Sequence, residues 1–272
     1  MKTQGTDILY FKIGPQAAPT LRVDQGEDFR VITQMNAGPW LKDHPDGAAL
    51  AAKIRDGNPA GGCIFVSGAN PGDMLAVTIK SITLGPVGYT QFGGSTGAMP
   101  AWFGSSGVGR HAKVVAIRDG CVEWSPALKL SARPMLGFVG TAPRHETIRN
   151  AWGGPWGGNL DAPEVCAGAT LFLPVEIAGA LLMVGDMHAL QGDGEICGAG
   201  GIETGGETVL NCRVMPRPKS FSWPRVIDDT HIMVLASGKP AEDAFRCGLE
   251  ALILWLEEEY RMARGEAFLL LG

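Results

Sequence analysis

The 272-residue chain has no clustered lysine or arginine, and its net charge of −5 and pI near 5.6 argue against a nucleic-acid partner. Phosphate binding depends on grouped cations. Its six cysteines, Cys63, Cys121, Cys166, Cys197, Cys212 and Cys247, are scattered without CxxC spacing. That excludes a zinc knuckle or a small disulfide scaffold and points to free thiols in a reducing compartment. No stretch approaches the roughly eighteen apolar residues of a membrane-spanning helix. MKTQGTDILYF also lacks the charged-then-apolar pattern of a secretion signal, so the expected location is the cytoplasm. A GxSxG elbow, a Walker-A loop, a strand-linked GxGxxG and the Ser-rich signature of the common amidases are absent too, which leaves their chemistries without support. The partner expected by elimination is a small molecule, neutral or cationic.

What the chain does hold is Gly185 to Gly198, GDMHALQGDGEICG. Asp186, His188, Gln191, Asp193 and Glu195 crowd into it among glycines, directly after the apolar run Ala178 to Val184. Clustered carboxylates repel and glycine is entropically costly to order, so this loop is a poor solution for stability alone. A site explains it better. Asp186 and His188, at i and i+2 just beyond a strand, point to one side and suit a divalent metal or an acid/base pair. Asp193 and Glu195 repeat the spacing, and neighbouring acids raise one another's pKa into the range of a general acid or base. Asp161 is the candidate third ligand from a separate segment. A calcium-like structural loop or a hydrogen-bonded turn is the bland alternative.

From Ile8 to about Lys129, short alternating apolar runs bounded by Gly and Pro predict β-strands, with Gly68 to Asp73 a tight turn. Asp46 to Arg55 is a short helix candidate, and Val87 to Arg110 reads as a long loop, either a lid or rim carrying Phe92, Trp102 and Phe103 or a plain connection. Ala241 to Arg261 carries an apolar stripe at Phe245, Leu249, Leu252, Ile253, Leu256 and Tyr260, which predicts a long amphipathic helix packed on the core. A second helix begins near Ala263, and its apolar end, Phe268 to Leu271, is expected to be covered by a tail or an interface. The fold class is thus mainly β, sandwich- or barrel-like, with a smaller α/β part and a long C-terminal helix. Residues 1–130 form the β-rich portion, and 131–272 form an α+β portion carrying the acidic motif.

Three segments resemble the acetamidase/formamidase family: GGNLDAPEVCAGATLFLPVEIAGALLMVGDMHALQGDGEICG, NPAGGCIFVSGANPGDMLAVTI and PMLGFVGTAP. The likeness spans roughly Leu21 to Leu271. It implies a mainly β, homo-oligomeric, metal-dependent hydrolase of small amides such as formamide or acetamide, a homodimer or larger. By position it implies site roles for Asn159 and Asp161 and for Asp186, His188, Gln191, Asp193 and Glu195. The sequence departs from the pattern at Asn36, where the family has an acid, at Gly61, where it has threonine, and at Trp152 and Trp156.

The expected arrangement is a divalent metal, zinc before calcium, held by Asp186, His188 and Asp161. Glu195 or Asp193 serves as base, and Asn159 or backbone N–H groups hold the oxyanion. Gln191, Gly158 and Gly194 bind substrate. Two rivals stand beside it: attack by Cys197 through an acyl-enzyme, and a non-catalytic binding protein on the same scaffold.

Overall fold

The computed structural model describes residues 1–36, 38, 57–92, 97–109, 111–198 and 201–272. The expected helix at Asp46 to Arg55 lies outside them. The first strands are β1 (Lys2–Gln4), β2 (Leu9–Tyr10), β3 (Lys12–Ile13), β4 (Leu21–Val23), β5 (Asp28–Thr33), β6 (Ala60–Val66) and β7 (Asp73–Phe92). A short helix α1 (Pro100–Ser105) precedes β8 (His111–Arg118), β9 (Cys121–Ser125), β10 (Leu128–Ser131) and β11 (Met135–Gly140). Then come β12 (Ile148–Arg149), β13 (Gly153–Gly154), β14 (Gly157–Asn159), β15 (Thr170–Pro174), β16 (Leu182–Leu190), β17 (Ile202–Pro216), β18 (Arg225–Ile227) and β19 (Ile232–Val234). Helices α2 (Ala241–Tyr260) and α3 (Arg264–Leu271) close the chain. Among the described residues the architecture is mostly β with no closed barrel.

Two long strands form the spine. β7 and β17 run antiparallel from Asp73 opposite Pro216 to Tyr89 opposite Glu203. Their length comes from β-favouring residues, as in TVLNCRVM of β17, broken only by register shifts at Thr204/Gly206 and Val209/Leu210. β5, β8 and β15 extend this sheet, and β5 shows the half-buried period of two, with Phe29, Val31 and Thr33 turned inward. β6, β11 and β16 are buried along nearly their whole length, as strands covered on both faces must be. The main core joins residues of both, among them Phe29, Ile64, Leu75, Leu136, Leu171 and Leu182.

Strands from either side of residue 130 interleave: β15 and β17 pair with β7, and β16 pairs with β6. The turn at Gly68 to Asp73 is present, held by Asn70 N–H donating to Asp73 Oδ2, but the strands it joins pair elsewhere. The expected loop from Val87 to Arg110 is not one loop. β7 continues through Phe92, because Val87 to Phe92 gain a partner in β8, and α1 follows. The aromatic residues that suggested a lid stack on one another, with Phe92 and Phe103 ring centres 4.8 Å apart.

Helix α2 lies where its stripe predicted, with a different buried face. Ala251, Trp255 and Leu256 are buried, whereas Phe245 and Tyr260 are exposed. Trp255 anchors the face because the Arg225 guanidinium lies 4.4 Å over its ring. Phe268 to Leu270 of α3 are exposed.

Candidate active site

The site forms where β16 changes partners. Along one edge, Leu182 to Gly185 pair with β6, and Met187 to Leu190 pair with β17. Asp186 falls between these pairings and takes the left-handed backbone conformation, φ +55°. The motif was expected as a loop beyond a strand, but Asp186 and His188 belong to the strand itself and are 2% and 0% exposed. Opposite Asp186 in the β11 register stands Gly137. A Cβ there would lie 2.7 Å from Asp186 Oδ2 and 2.8 Å from Asp161 Oδ1, so only glycine leaves room for both carboxylates. The Gly137 carbonyl also accepts the backbone N–H of Asp161 at 3.2 Å, which brings Asp161 beside Asp186.

Acidic side chains gather around His188. His188 Nε2 is 3.5 Å from Asp186 Oδ1 and 3.5 Å from Glu203 Oε2, and ligand atoms of Asp161, Asp186 and His188 all lie within 4.8 Å of one another. Asp161 Oδ1, Asp186 Oδ1, His188 Nε2 and Glu203 Oε2 are buried without a hydrogen-bond partner among the described residues. Buried polar atoms are nearly always paired, so this concentration of unpaired ones is exceptional.

The other atoms of the same groups are tied. Gln191 Nε2 donates to the Asp161 carbonyl at 2.6 Å, which turns Gln191 Oε1 toward His188 Nδ1, also at 2.6 Å. An amide oxygen can only accept, so Nδ1 carries a proton, and in the neutral ring it is Nε2 whose lone pair faces the carboxylates. Asn159 Nδ2 donates to Asp161 Oδ2 at 2.5 Å, and Asn58 Nδ2 donates to Asp186 Oδ2 at 3.0 Å. Asn58, itself left-handed at φ +56°, is held by buried Asn150, whose Nδ2 donates to the Asn58 carbonyl at 2.8 Å.

The electrostatics follow from burial and crowding. Burial, then the Asp186 and Glu195 charges, pushes the Asp161 carboxyl up to about 9. Burial, then Glu203, pushes Asp186 up to about 6. For His188, burial works downward but is outweighed by Glu203 and Asp186, so its pKa stands well above the ordinary value. Tyr89, opposite Glu203 across β7 and β17, is fully buried with its hydroxyl unpaired among the described residues, and burial followed by Glu203 and Asp186 raises it well above the ordinary value.

Of the expected site residues, the fold brings together Asn159, Asp161, Asp186, His188 and Gln191. Gly158 lies buried in β14 beside them. Glu195 is half-buried on the following turn, near enough to raise Asp161, while Asp193 and Gly194 are exposed there. Cys197 lies apart, its Sγ 3.8 Å from Thr90 Oγ1, lining a cavity of about 400 Å³ with Phe92, Trp124 and Leu130. Glu203, Asn58 and Tyr89 were not anticipated.

The whole fold matches the acetamidase of Bacillus halodurans, with a TM-score of 0.89 and 31% identity over 99% of this chain and 89% of that one. The chain belongs to the acetamidase/formamidase family. A model of that family matches residues 147–222, which hold Asn159, Asp161, Asp186, His188, Gln191 and Glu203. A predicted acetamidase/formamidase of Thermoanaerobacter tengcongensis superposes with a TM-score of 0.90 at 29% identity, over 99% of this chain and 87% of that one. A Schizosaccharomyces pombe protein named as a formamidase is 44% identical over 59 residues, 22% of this chain and 14% of that protein. The acetamidase of Mycolicibacterium smegmatis is 50% identical over 50 residues, 18% of this chain and 12% of that protein. Trp156, where the chain departs from the family pattern, packs with the cluster of Ile13 and Phe138 beside β14, where Gly154 and Gly158 leave room for its ring. No helix among the described residues is long and apolar enough to cross a membrane.

Proposed function

We propose that this family member hydrolyses a small aliphatic amide, formamide- or acetamide-like, to ammonia and a carboxylic acid. The observation that carries the reading is the grouping of Asp161, Asp186 and His188 ligand atoms within 4.8 Å of one another, with Glu203 Oε2 3.5 Å from His188 Nε2 and each of the four side chains holding a buried polar atom unpaired among the described residues. Three carboxylates and a deprotonated imidazole nitrogen are a donor set for a divalent cation. The 3.5 Å separations of Nε2 from the two carboxylate oxygens fit it too, because ligand atoms around a tetrahedral zinc stand about 3.4 Å apart. Asp161, Asp186 and His188 would hold the ion, zinc in the first place, with Glu203 as a fourth ligand. A cation there supplies Lewis acidity and lowers the pKa of water.

The chain's own residues do the rest. Gln191 keeps His188 in the tautomer whose Nε2 faces the site. Glu195 takes a proton from the attacking water and returns it to the departing ammonia; it is favoured over Asp193 because it is the half-buried acid whose charge reaches Asp161. Asn159 spends one Nδ2 hydrogen on Asp161 and has its second available for the oxyanion. The burial of Asp186 and His188 restricts the substrate to something small. Further expectations are a cytoplasmic location and a homodimer or larger assembly. Metal analysis with ammonia release from formamide by wild type and Glu195→Gln tests the reading: the variant should lose at least 100-fold in kcat. Full activity in Glu195→Gln removes that role, and full activity in metal-free protein ends the mechanism.

A further inference from the structure

Tyr89 is held beside the acidic cluster with a hydrogen to give. His188 of β16 stands opposite Glu203 of β17, and Glu203 stands opposite Tyr89 of β7. Directly opposed residues of an antiparallel pair project from one face, so the three side chains form a row across adjacent strands. Tyr89 is 0% exposed, and its hydroxyl has no hydrogen-bond partner among the described residues, Glu203 included. A buried hydroxyl left unmet is destabilising, and phenylalanine would fill the same space without that cost. The amide donors nearby are largely spent. Asn58 Nδ2 gives its hydrogens to Asn159 Oδ1 at 2.6 Å and Asp186 Oδ2 at 3.0 Å, and Asn159 Nδ2 gives one of its two to Asp161 Oδ2. Asp161 Oδ1, Asp186 Oδ1, His188 Nε2 and Glu203 Oε2 are acceptors, which attract a cation and repel an oxyanion. Of these side chains, Asn159, with its second hydrogen, and the Tyr89 hydroxyl are the ones that can meet a carbonyl oxygen gaining negative charge.

We propose that Tyr89 is a catalytic residue whose phenolic O–H donates to the carbonyl oxygen of the amide as that oxygen becomes the oxyanion, alongside Asn159. The inference rests on the amide-hydrolysis reading above and adds to it a donor from β7. As water adds to the carbonyl carbon, the C=O π electrons move onto oxygen, and Tyr89 holds that oxygen while keeping its own proton, as a phenol does at pH 8. When the C–N bond breaks, the electrons return to re-form the carbonyl, and ammonia leaves with the proton from Glu195. A Tyr89 that merely propped Glu203 would behave differently. Losing the hydroxyl would then weaken ion binding and leave turnover of the zinc-loaded protein unchanged.

The test compares Tyr89→Phe with wild type at pH 8 and saturating zinc chloride, by ammonia release from formamide and acetamide. Zinc titration against a chromophoric chelator and thermal unfolding are read on the same proteins. The expected result is kcat lowered about 100-fold on both amides, the range for losing one oxyanion donor, with KM and zinc affinity each within about 3-fold of wild type. The melting temperature should not fall. A loss in kcat smaller than about 10-fold overturns the proposal, whatever happens to zinc affinity. So does a melting temperature well below that of wild type, since the hydroxyl would then have a partner within the folded protein itself. Wild type that releases no ammonia from either amide ends the amide reading and this role with it, whereas an active wild type matched by Tyr89→Phe ends this role alone.

Discussion

Gly137→Ala is the smallest change that reaches the centre of the site. The added Cβ meets Asp186 Oδ2 at 2.7 Å, Asp161 Oδ1 at 2.8 Å and the Asp186 carbonyl at 3.0 Å, against ordinary contacts of 3.4–4 Å. Each carboxylate must therefore retreat by roughly 0.5 Å or more, beyond the tolerance within which a preorganised site keeps its function. Overpacking of this kind costs about 1–3 kcal/mol, partly offset by the roughly 0.4–1 kcal/mol that Gly→Ala returns by restricting the unfolded chain. The net loss of fold stability is thus small, about 1–2 kcal/mol, while zinc affinity should fall at least 100-fold because two ligands move together. Chelator competition measures the affinity and thermal unfolding the stability. Gly109→Ala, where an added Cβ meets nothing within 4 Å, is the control. A Gly137→Ala protein that binds zinc and releases ammonia as wild type does would refute the reasoning.

Other outcomes follow from single contacts. Gln191→Leu removes the acceptor that orients His188 Nδ1, so zinc affinity, read by chelator competition, should drop about 10- to 100-fold. Affinity equal to that of wild type counts against it. Tyr89→Phe deletes a buried hydroxyl unpaired among the described residues, so stability should be unchanged or higher, and a loss above about 1 kcal/mol in chemical denaturation contradicts this. Metal-free protein should lose stability as pH rises. Asp161 at about 9, Asp186 at about 6 and His188 well above its ordinary value are all raised, so the folded state holds more protons than the unfolded chain. Their contribution is full below about pH 4 for the aspartates and the unfolded pKa for His188, and is lost as pH climbs through about 6 and about 9. The melting temperature should fall by about 5 °C or more between pH 5 and 8, and a flat or rising profile would contradict the burial argument.

The sequence made Asp186, His188 and Asp161 legible because ligand-type residues at i, i+2 spacing are conspicuous after an apolar run. It misplaced Asp186 and His188 on a loop because polar density and glycine ordinarily mark turns. Here β16 stays a strand through both residues, its buried polar atoms met by Gln191, Asn58 and one another. Glu203 was invisible for a different reason. In GIETGGETVL it is one polar residue of a strand, and only pairing of β17 with β16 sets it opposite His188. Tyr89 depends on the same kind of long-range register, since β7 meets β17 across more than a hundred residues of chain, and Asn58 on the pairing of the neighbouring β6 with β16. Periodicity found helix α2 but not its buried face, because the stacking of Arg225 on Trp255 comes from a strand the helix pattern does not contain.

The central claim is that a cation held by Asp161, Asp186, His188 and Glu203 supports amide hydrolysis, and one titration reaches it. Ammonia release from formamide is followed in metal-free protein as zinc chloride is added back. The account predicts no turnover without the ion and full recovery at about one equivalent per chain. Turnover at the full rate in protein shown to be metal-free would contradict it.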